Sequence, residues 1–296
     1  MRTERANAKI NTYLDVISKR ENGYHNVVSI MQTVSLCDLV SVEYRPGIHT
    51  SIRMEASGND AMPVDCRNLA WRAAEKLLQR IERSGEVQII IQKRIPMAAG
   101  LAGGSADAAA VLRALNALCG SPLSVEELCA LGATLGADVP FCIRGGSARV
   151  SGIGDCMEEI ASMPQGLLVV ACRGEGVSTP WAYGELDRRY NDFADRKKDD
   201  NRDTLIENAW KNGDLQSSCE HFFNLFEEVV PAVQKDVNAL KRIMTECGAL
   251  RAMMSGSGPS VFGVFEDASA ADAACARLRE AGAAAFVCHP CEKYRF

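Results

Sequence analysis

Between Pro96 and Leu112 the chain reads PMAAGLAGGSADAAAVL, a run of small residues that follows Lys93-Arg94 and opens a helical pattern. Small residues let backbone come close to a ligand, and free N–H groups at a helix start attract anions. A nucleoside triphosphate suits such a turn. So does plain close packing between a strand and a helix. The segment lacks the Gly-Lys-Ser/Thr ending of a Walker A loop and does not fit GxGxxG, so a P-loop and a dinucleotide site both fit badly. Lys9 stands among apolar neighbours, either poised for chemistry or snorkelling from a strand edge to water. Asp138 follows a helix and precedes Val139-Pro140, where it is either fixed at a cleft or a solvent-facing helix end. Tyr24-His25 is either a ligand-reading pair or a half-buried surface pair. Cys288-His-Pro-Cys291 has redox or zinc spacing, yet no second CxxC or nearby HxxxH accompanies it. It reads as structural or incidental.

These residues need elements to hold them. Ala8–Ser18 and Asn26–Val34 read as strands, and Asp38–Glu43 and Ser51–Ala56 as shorter ones with period-two apolar spacing. Asn68–Arg83 reads as an amphipathic helix, with Leu69, Ala73, Leu77 and Ile81 on one face. Val87–Gln92 is a strand ending at Lys93-Arg94, and the small-residue turn then opens a helix from about Ser105 to Cys119. Ser124 with Glu127 forms a capping box for a helix that ends near Gly136. Gly145–Ser151 turns the chain back. The second half restarts with the strand Leu167–Cys172 and the helix Thr179–Arg189. A charged surface loop, Asp192–Asp203, precedes helices at Thr204–Lys211 and Pro231–Cys247. The strand Val261–Phe265, the helix Ala268–Ala281 and the strand Ala284–Cys288 finish the chain. Glycines 145, 146, 152 and 154 with Pro164 suggest a boundary, giving domains 1–155 and 156–296. The order reads as α+β in two halves.

At 296 residues the chain accommodates two domains, and 47% hydrophobic with 24% charged residues is ordinary for a globular protein. Lys and Arg number 33 against 38 Asp and Glu, so the net charge of −5 provides no positive field for nucleic acid or anionic membrane. The opening residues carry charges at Lys9, Asp15 and Lys19 and lack an apolar signal core. Twelve cysteines scattered through apolar segments suit reduced thiols, which points to the cytoplasm.

The small-residue segment is similar to the phosphate-binding motif of the GHMP kinase superfamily, Pro-x-x-x-Gly-Leu-Gly-Gly-Gly-Ser-Ser-Asn-Ala. Gly100, Leu101, Gly103, Gly104 and Ser105 match, while Ala102, Ala106 and Asp107 depart from it. Alanine at 102 excludes a strained positive φ. Other blocks resemble the 4-diphosphocytidyl-2-C-methyl-D-erythritol kinase family within that superfamily. They are Ala8-Lys9-Ile10-Asn11, Lys19-Arg20 with Gly23-Tyr24-His25, Ser29 to Asp38, Leu135 to Cys142, Val177 to Tyr183, and Met254 to Ser260. The blocks stand in the expected order from position 8 to 260.

The resemblance implies an α+β, two-domain GHMP kinase fold. Each half would hold a mixed or antiparallel sheet with helices, and the active site would lie in the cleft between them. It implies ATP-dependent phosphorylation of the 2-hydroxyl of a cytidine diphosphate-linked polyol. Other small-molecule kinases of the superfamily, acting on homoserine or mevalonate, and a catalytically silent ligand sensor are the alternatives. Pro96, Met97, Ala98, Ala99, Gly100, Leu101, Ala102, Gly103, Gly104, Ser105 and Ala106 would cradle ATP. Lys93 and Asn68, with Asn116, are candidates for the adenine end. Magnesium would come with the ATP, with no metal site of the protein's own. Asp138 would be the general base and Lys9 would favour the developing alkoxide. Tyr24 and His25 would hold the cytidine, with Tyr183 on the other face of the base and Asn11 near the acceptor end. Gly256-Ser257-Gly258 either touches the cleft or packs a turn. The chain would act on small molecules as a monomer or homodimer, without nucleic acid or membrane.

Overall fold

The computed structural model describes residues 1–59, 61–193, 196 and 201–296, so the expected loop 192–203 lies partly outside the described residues. Two long strands open the chain, β1 (Arg2–Lys19) and β2 (His25–Pro46), paired antiparallel. β1 is buried without a break from Ala6 to Val16, so its period-two alternation fades in the sequence. The register between the two strands shifts between Asn7 and Lys9 and again between Asn11 and Tyr13. Such bulges re-aim side chains. Lys9 and Asn11 lie between the shifts, two residues apart and on one face of the strand.

β2 replaces the two strands expected at Asn26–Val34 and Asp38–Glu43. Its partners change at the bulge around residues 34–36: Cys37 faces Asn7, whereas Thr33 already faces Lys9. Ser35 donates its N–H to His289 O at 2.9 Å, so a segment near the C-terminus satisfies the bulge. The sequence interruption is therefore a bend within one strand.

The first half continues with β3 (Ser51–Ser57), α1 (Leu69–Arg80), β4 (Gly85–Gln92), α2 (Gly103–Leu118), α3 (Val125–Ala133) and α4 (Val139–Arg144). The hairpin β5 (Ser147–Ser151) and β6 (Cys156–Glu159) follows. Gly145–Ser151, read as a turn, thus holds a strand that pairs with Ser29–Gln32 of β2. Ala and Leu favour α2, and every residue from Ala106 to Asn116 is buried. Ser124 and Glu127 make the capping box reciprocally. α4 escaped the sequence reading because six residues show no helical period.

The second half comprises β7 (Leu167–Cys172), α5 (Thr179–Arg189), α6 (Arg202–Lys211), α7 (Leu215–Glu220), β8 (Phe223–Asn224), α8 (Val230–Val233) and α9 (Lys235–Glu246). It closes with β9 (Arg251–Met254), β10 (Val261–Phe265), α10 (Ala268–Glu280) and β11 (Ala284–Cys288). The helix expected over Pro231–Cys247 is broken at Gln234, whose ψ of 77° leaves the helical region.

Two sheets result. One runs β3-β4-β2-β1-β8 with β5 and β6 attached beside β2, and it is mixed, because β3 with β4 and β1 with β8 are parallel. The other, β11-β7-β10-β9, is antiparallel throughout. The expected division at 155/156 falls inside the β5–β6 hairpin, and sheet membership carries the first half to Glu159. Leu168 and Val170 of β7 pack with Ala8, Ile10 and Leu101 of the first half, while Val169 and Ala171 turn to Leu240, Met244 and Ala274. That double burial explains the uninterrupted apolar run of β7. No described helix is long and apolar enough to cross a membrane.

Candidate active site

The turn between β4 and α2 alternates hands: Ala98, Gly100 and Ala102 have φ values of +50°, +77° and +56°. The expectation that Ala102 avoids positive φ is corrected. The residue stands left-handed at the N-cap of α2, in a conformation that costs an L-residue about 1–2 kcal/mol. Its carbonyl accepts the first helical bond from Ala106 N–H at 2.9 Å, which leaves the N–H groups of Gly103, Gly104 and Ser105 ahead of the helical ladder. The second half docks on this turn. Ser255 Oγ donates to Gly100 O at 3.1 Å, and Ser260 N–H donates to Ala99 O at 3.2 Å. A Cβ on Gly100 would fall 2.1 Å from Ser255 O, so this position requires glycine.

Lys93 lines the cavity, with its ammonium turned to two carboxylates. Its buried ammonium donates to Asp38 Oδ2 and Asp107 Oδ2, each at 2.6 Å. Asp38 Oδ1 in turn accepts the N–H groups of Arg94 and Ile95 at 2.5 and 2.8 Å, which fixes the entry into the turn. Burial pushes the Asp107 carboxyl up to about 7 against the pull of the Lys93 ammonium. Asn68 lines the cavity, but its side chain caps α1 at Ala70 N–H and donates to Pro63 O. Asn116 is a correction: it clamps both backbone groups of Leu123 and is absent from the cavity lining.

Lys9 lies buried on β1 and donates to Asn11 Oδ1 at 2.7 Å. Its Nζ is 3.9 Å from Asp138 Oδ2. Asn11 is held in turn by donating to Ser29 Oγ at 2.8 Å. Asp138 occupies the N-cap position of α4 without making a capping bond, and its side chain is 32% exposed. A carboxylate beside an ammonium, unspent on the helix, is free to meet a hydroxyl. Magnesium has no cage of three His, Cys, Asp or Glu side chains among the described residues.

Tyr24, His25 and Tyr183 come together at one cavity. Tyr24 is 61% exposed and lines the cavity, while His25 is buried. Tyr183 stacks on His25, with ring centroids 4.5 Å apart and planes at 16°. One face of the Tyr183 ring is thus backed by His25, and Tyr183 lines the same cavity as Tyr24. Asp187, missed in the sequence, has Oδ1 2.7 Å from His25 Nε2 and accepts from Lys19 Nζ at 2.6 Å through Oδ2. Its spacing of four from Tyr183 on a helix was the available signal. Ser257 Oγ meets Thr179 Oγ1 at 2.9 Å, so the small-residue turn both packs and lines the cavity.

One cavity of about 1070 Å³ takes in the turn, Lys9, Asn11, Asp138, Tyr24, His25, Tyr183, Gly256 and Ser257. Models of the GHMP kinase N-terminal and C-terminal domains match residues 68–146 and 205–284. A 4-diphosphocytidyl-2-C-methyl-D-erythritol kinase of Exiguobacterium sibiricum is 42% identical over 88% of each chain. The chain belongs to the 4-diphosphocytidyl-2-C-methyl-D-erythritol kinase family of the GHMP kinases. The enzyme of that name from Caldicellulosiruptor saccharolyticus is 41% identical over 93% of this chain and 92% of its own. A crystal structure of a 4-(cytidine 5'-diphospho)-2C-methyl-D-erythritol kinase superposes with a TM-score of 0.80 at 32% identity, covering 98% of this chain and 99% of that one. A homoserine kinase of Cytophaga hutchinsonii shares the fold at a TM-score of 0.71 with 16% identity, covering 97% of this chain and 95% of its own. The two-half α+β architecture of this kinase, with its cavity between the halves, is the GHMP fold.

Proposed function

We propose that this kinase transfers the γ-phosphoryl group of ATP to the 2-hydroxyl of 4-diphosphocytidyl-2-C-methyl-D-erythritol, releasing ADP and the 2-phosphate. The step serves the methylerythritol phosphate route to isoprenoid precursors. The observation that carries this reading is the single cavity lined by the glycine turn, the Lys9–Asp138 pair and Tyr24-His25. The triphosphate lies along the turn, where the leading N–H groups of α2 meet its charge. Asp138 takes the proton of the acceptor hydroxyl as its oxygen bonds to the γ-phosphorus and the bond to the β-phosphate oxygen breaks. Lys9, oriented by Asn11, offsets the negative charge that builds on the attacking oxygen. Tyr24 stacks on the cytosine, His25 meets its edge, and Tyr183 backs the His25 ring. Magnesium would come as part of the nucleotide substrate and would supply charge neutralisation on the triphosphate, with the Ser105 hydroxyl, which lines the cavity, as the protein oxygen that would hold it. Twelve free cysteines fit a reducing, cytoplasmic setting.

ADP release with the cytidine acceptor, homoserine and mevalonate tests the substrate. Turnover on the cytidine acceptor alone is expected. Asp138→Asn keeps the shape and removes the base, so kcat should fall roughly 10²–10⁴-fold with the ATP KM little changed. Turnover like wild type in that variant would remove Asp138 from the proton transfer.

A further inference from the structure

α5 holds one imidazole in two ways. Tyr183 and Asp187 are four residues apart on this helix and so share a face. Tyr183 covers the flat of the His25 ring, and Asp187 Oδ1 sits 2.7 Å from its Nε2. Phe193 closes on the ring edge-on, with centroids 5.7 Å apart. Lys19 pairs directly with His25 in the β1–β2 register and reaches the other Asp187 oxygen at 2.6 Å. Burial opposes ionisation of Asp187, yet the bonds from Lys19 and His25 hold its carboxyl below the ordinary value. An ionised carboxylate only accepts hydrogen bonds, so the nitrogen facing it must carry the proton. His25 Nδ1 has no hydrogen-bond partner among the described residues, and His25 lines the cavity.

We propose that Asp187 is a specificity-determining positioning residue, which locks His25 as the Nε2–H tautomer so that Nδ1 presents a lone pair to the exocyclic amine of the base. This rests on the cytosine reading of Tyr24 and His25 given above. The chemistry discriminates between bases. Cytosine carries an amine donor at its 4-position, where uracil carries a carbonyl acceptor. A fixed acceptor at Nδ1 bonds the first and meets the second lone pair to lone pair. Were the tautomer free to change, Nδ1–H would donate to the uracil carbonyl and the distinction would fade. The second nitrogen of a histidine is commonly set by the partner of the first.

Nitrogen NMR of the imidazoles of the ligand-free enzyme reads the tautomer directly. His25 is assigned by the signals lost in His25→Ala. Wild type should show Nε2–H, and Asp187→Ala should show a mixture. In parallel, kcat/KM is measured with cytidine and uridine diphospho-acceptors. Wild type should favour cytidine, and Asp187→Ala should lose about tenfold or more of that ratio through the acceptor KM, with the ATP KM unmoved. The wild-type spectrum decides the tautomer even if the variant fails to fold, and a dominant Nδ1–H form overturns the assignment. If wild type discriminates and Asp187→Ala discriminates equally, the role of Asp187 is overturned while the cytosine reading stands. If wild type takes both bases equally, the cytosine reading itself fails, and the selectivity role with it.

Discussion

An alanine in the left-handed region is costly, and Ala102 accepts that cost at the head of the helix that leads out of the phosphate turn. Ala102→Gly removes about 1–2 kcal/mol of strain and adds about 0.4–1 kcal/mol of unfolded-state entropy. A small gain in stability, seen as a rise of one or two degrees in Tm, is expected; a fall in Tm would show that the strain is not there. Asp107 makes a second prediction at this scale. Its carboxyl is raised to about 7 by burial, above the ordinary value of about 3.9 for an unfolded aspartate. The native state therefore holds this proton more tightly than the unfolded chain does. Its contribution to stability is complete below about pH 4 and is lost as pH rises towards 7. Asp107→Asn cannot titrate. Between about pH 4 and 7 the Tm of wild type, relative to that of Asp107→Asn, should therefore fall as pH rises. The effect is readable because a tenfold difference in proton affinity between native and unfolded chains is worth about 1.4 kcal/mol. Parallel curves would remove Asp107 as the source.

Elements bounded by strong local chemistry were legible in the sequence, and those defined by distant partners were not. β7, α5, β10 and β11 fall where apolar runs end at glycine, proline or a capping serine or aspartate. β5 is a strand because Ser29–Gln32 lies beside it, and no local pattern announces that. The site divides in the same way. Lys9, Asp138 and the glycine turn sit in local motifs, whereas His25 and Asp187 are 162 residues apart, and Asp38 meets Lys93 only through the fold. The turn itself carries an element-scale prediction. Gly103 has an ordinary φ, but a Cβ there would lie 3.1 Å from both Ile95 Cγ2 and Lys93 Nζ. The further methyls of valine would press on the buried Lys93 trio and fill the approach to the leading N–H groups of α2. Gly103→Val should raise the ATP KM about tenfold or more, which corresponds to roughly 1.4 kcal/mol. An unchanged ATP KM in a folded variant would make the turn a packing device.

The two halves are joined by more than a shared cavity. β8 of the second half pairs with Tyr13 and Leu14 of β1, and Tyr294 near the C-terminus donates to Asn7 Oδ1 at 2.8 Å and lies under the Arg113 guanidinium. The Ser255–Ser260 turn is the junction closest to the chemistry. Asn224 Nδ2 pins it by donating to Met254 O and Gly256 O, each at 2.8 Å. Gly256 has a φ of +56°, and a Cβ on it would lie 3.0 Å from Gly100 O and 3.5 Å from Asn11 Oδ1. Gly256→Val therefore combines a left-handed β-branched residue, costing about 1–3 kcal/mol, with pressure on both the phosphate turn and the partner of Lys9. Gly103→Val strains the nucleotide end alone. Gly256→Val should lower Tm by several degrees, raise the ATP KM and reduce kcat together, because one displacement reaches both Gly100 and Asn11. A folded Gly256→Val enzyme with a wild-type ATP KM and kcat would mean that the second half encloses the cavity without setting the geometry of the turn.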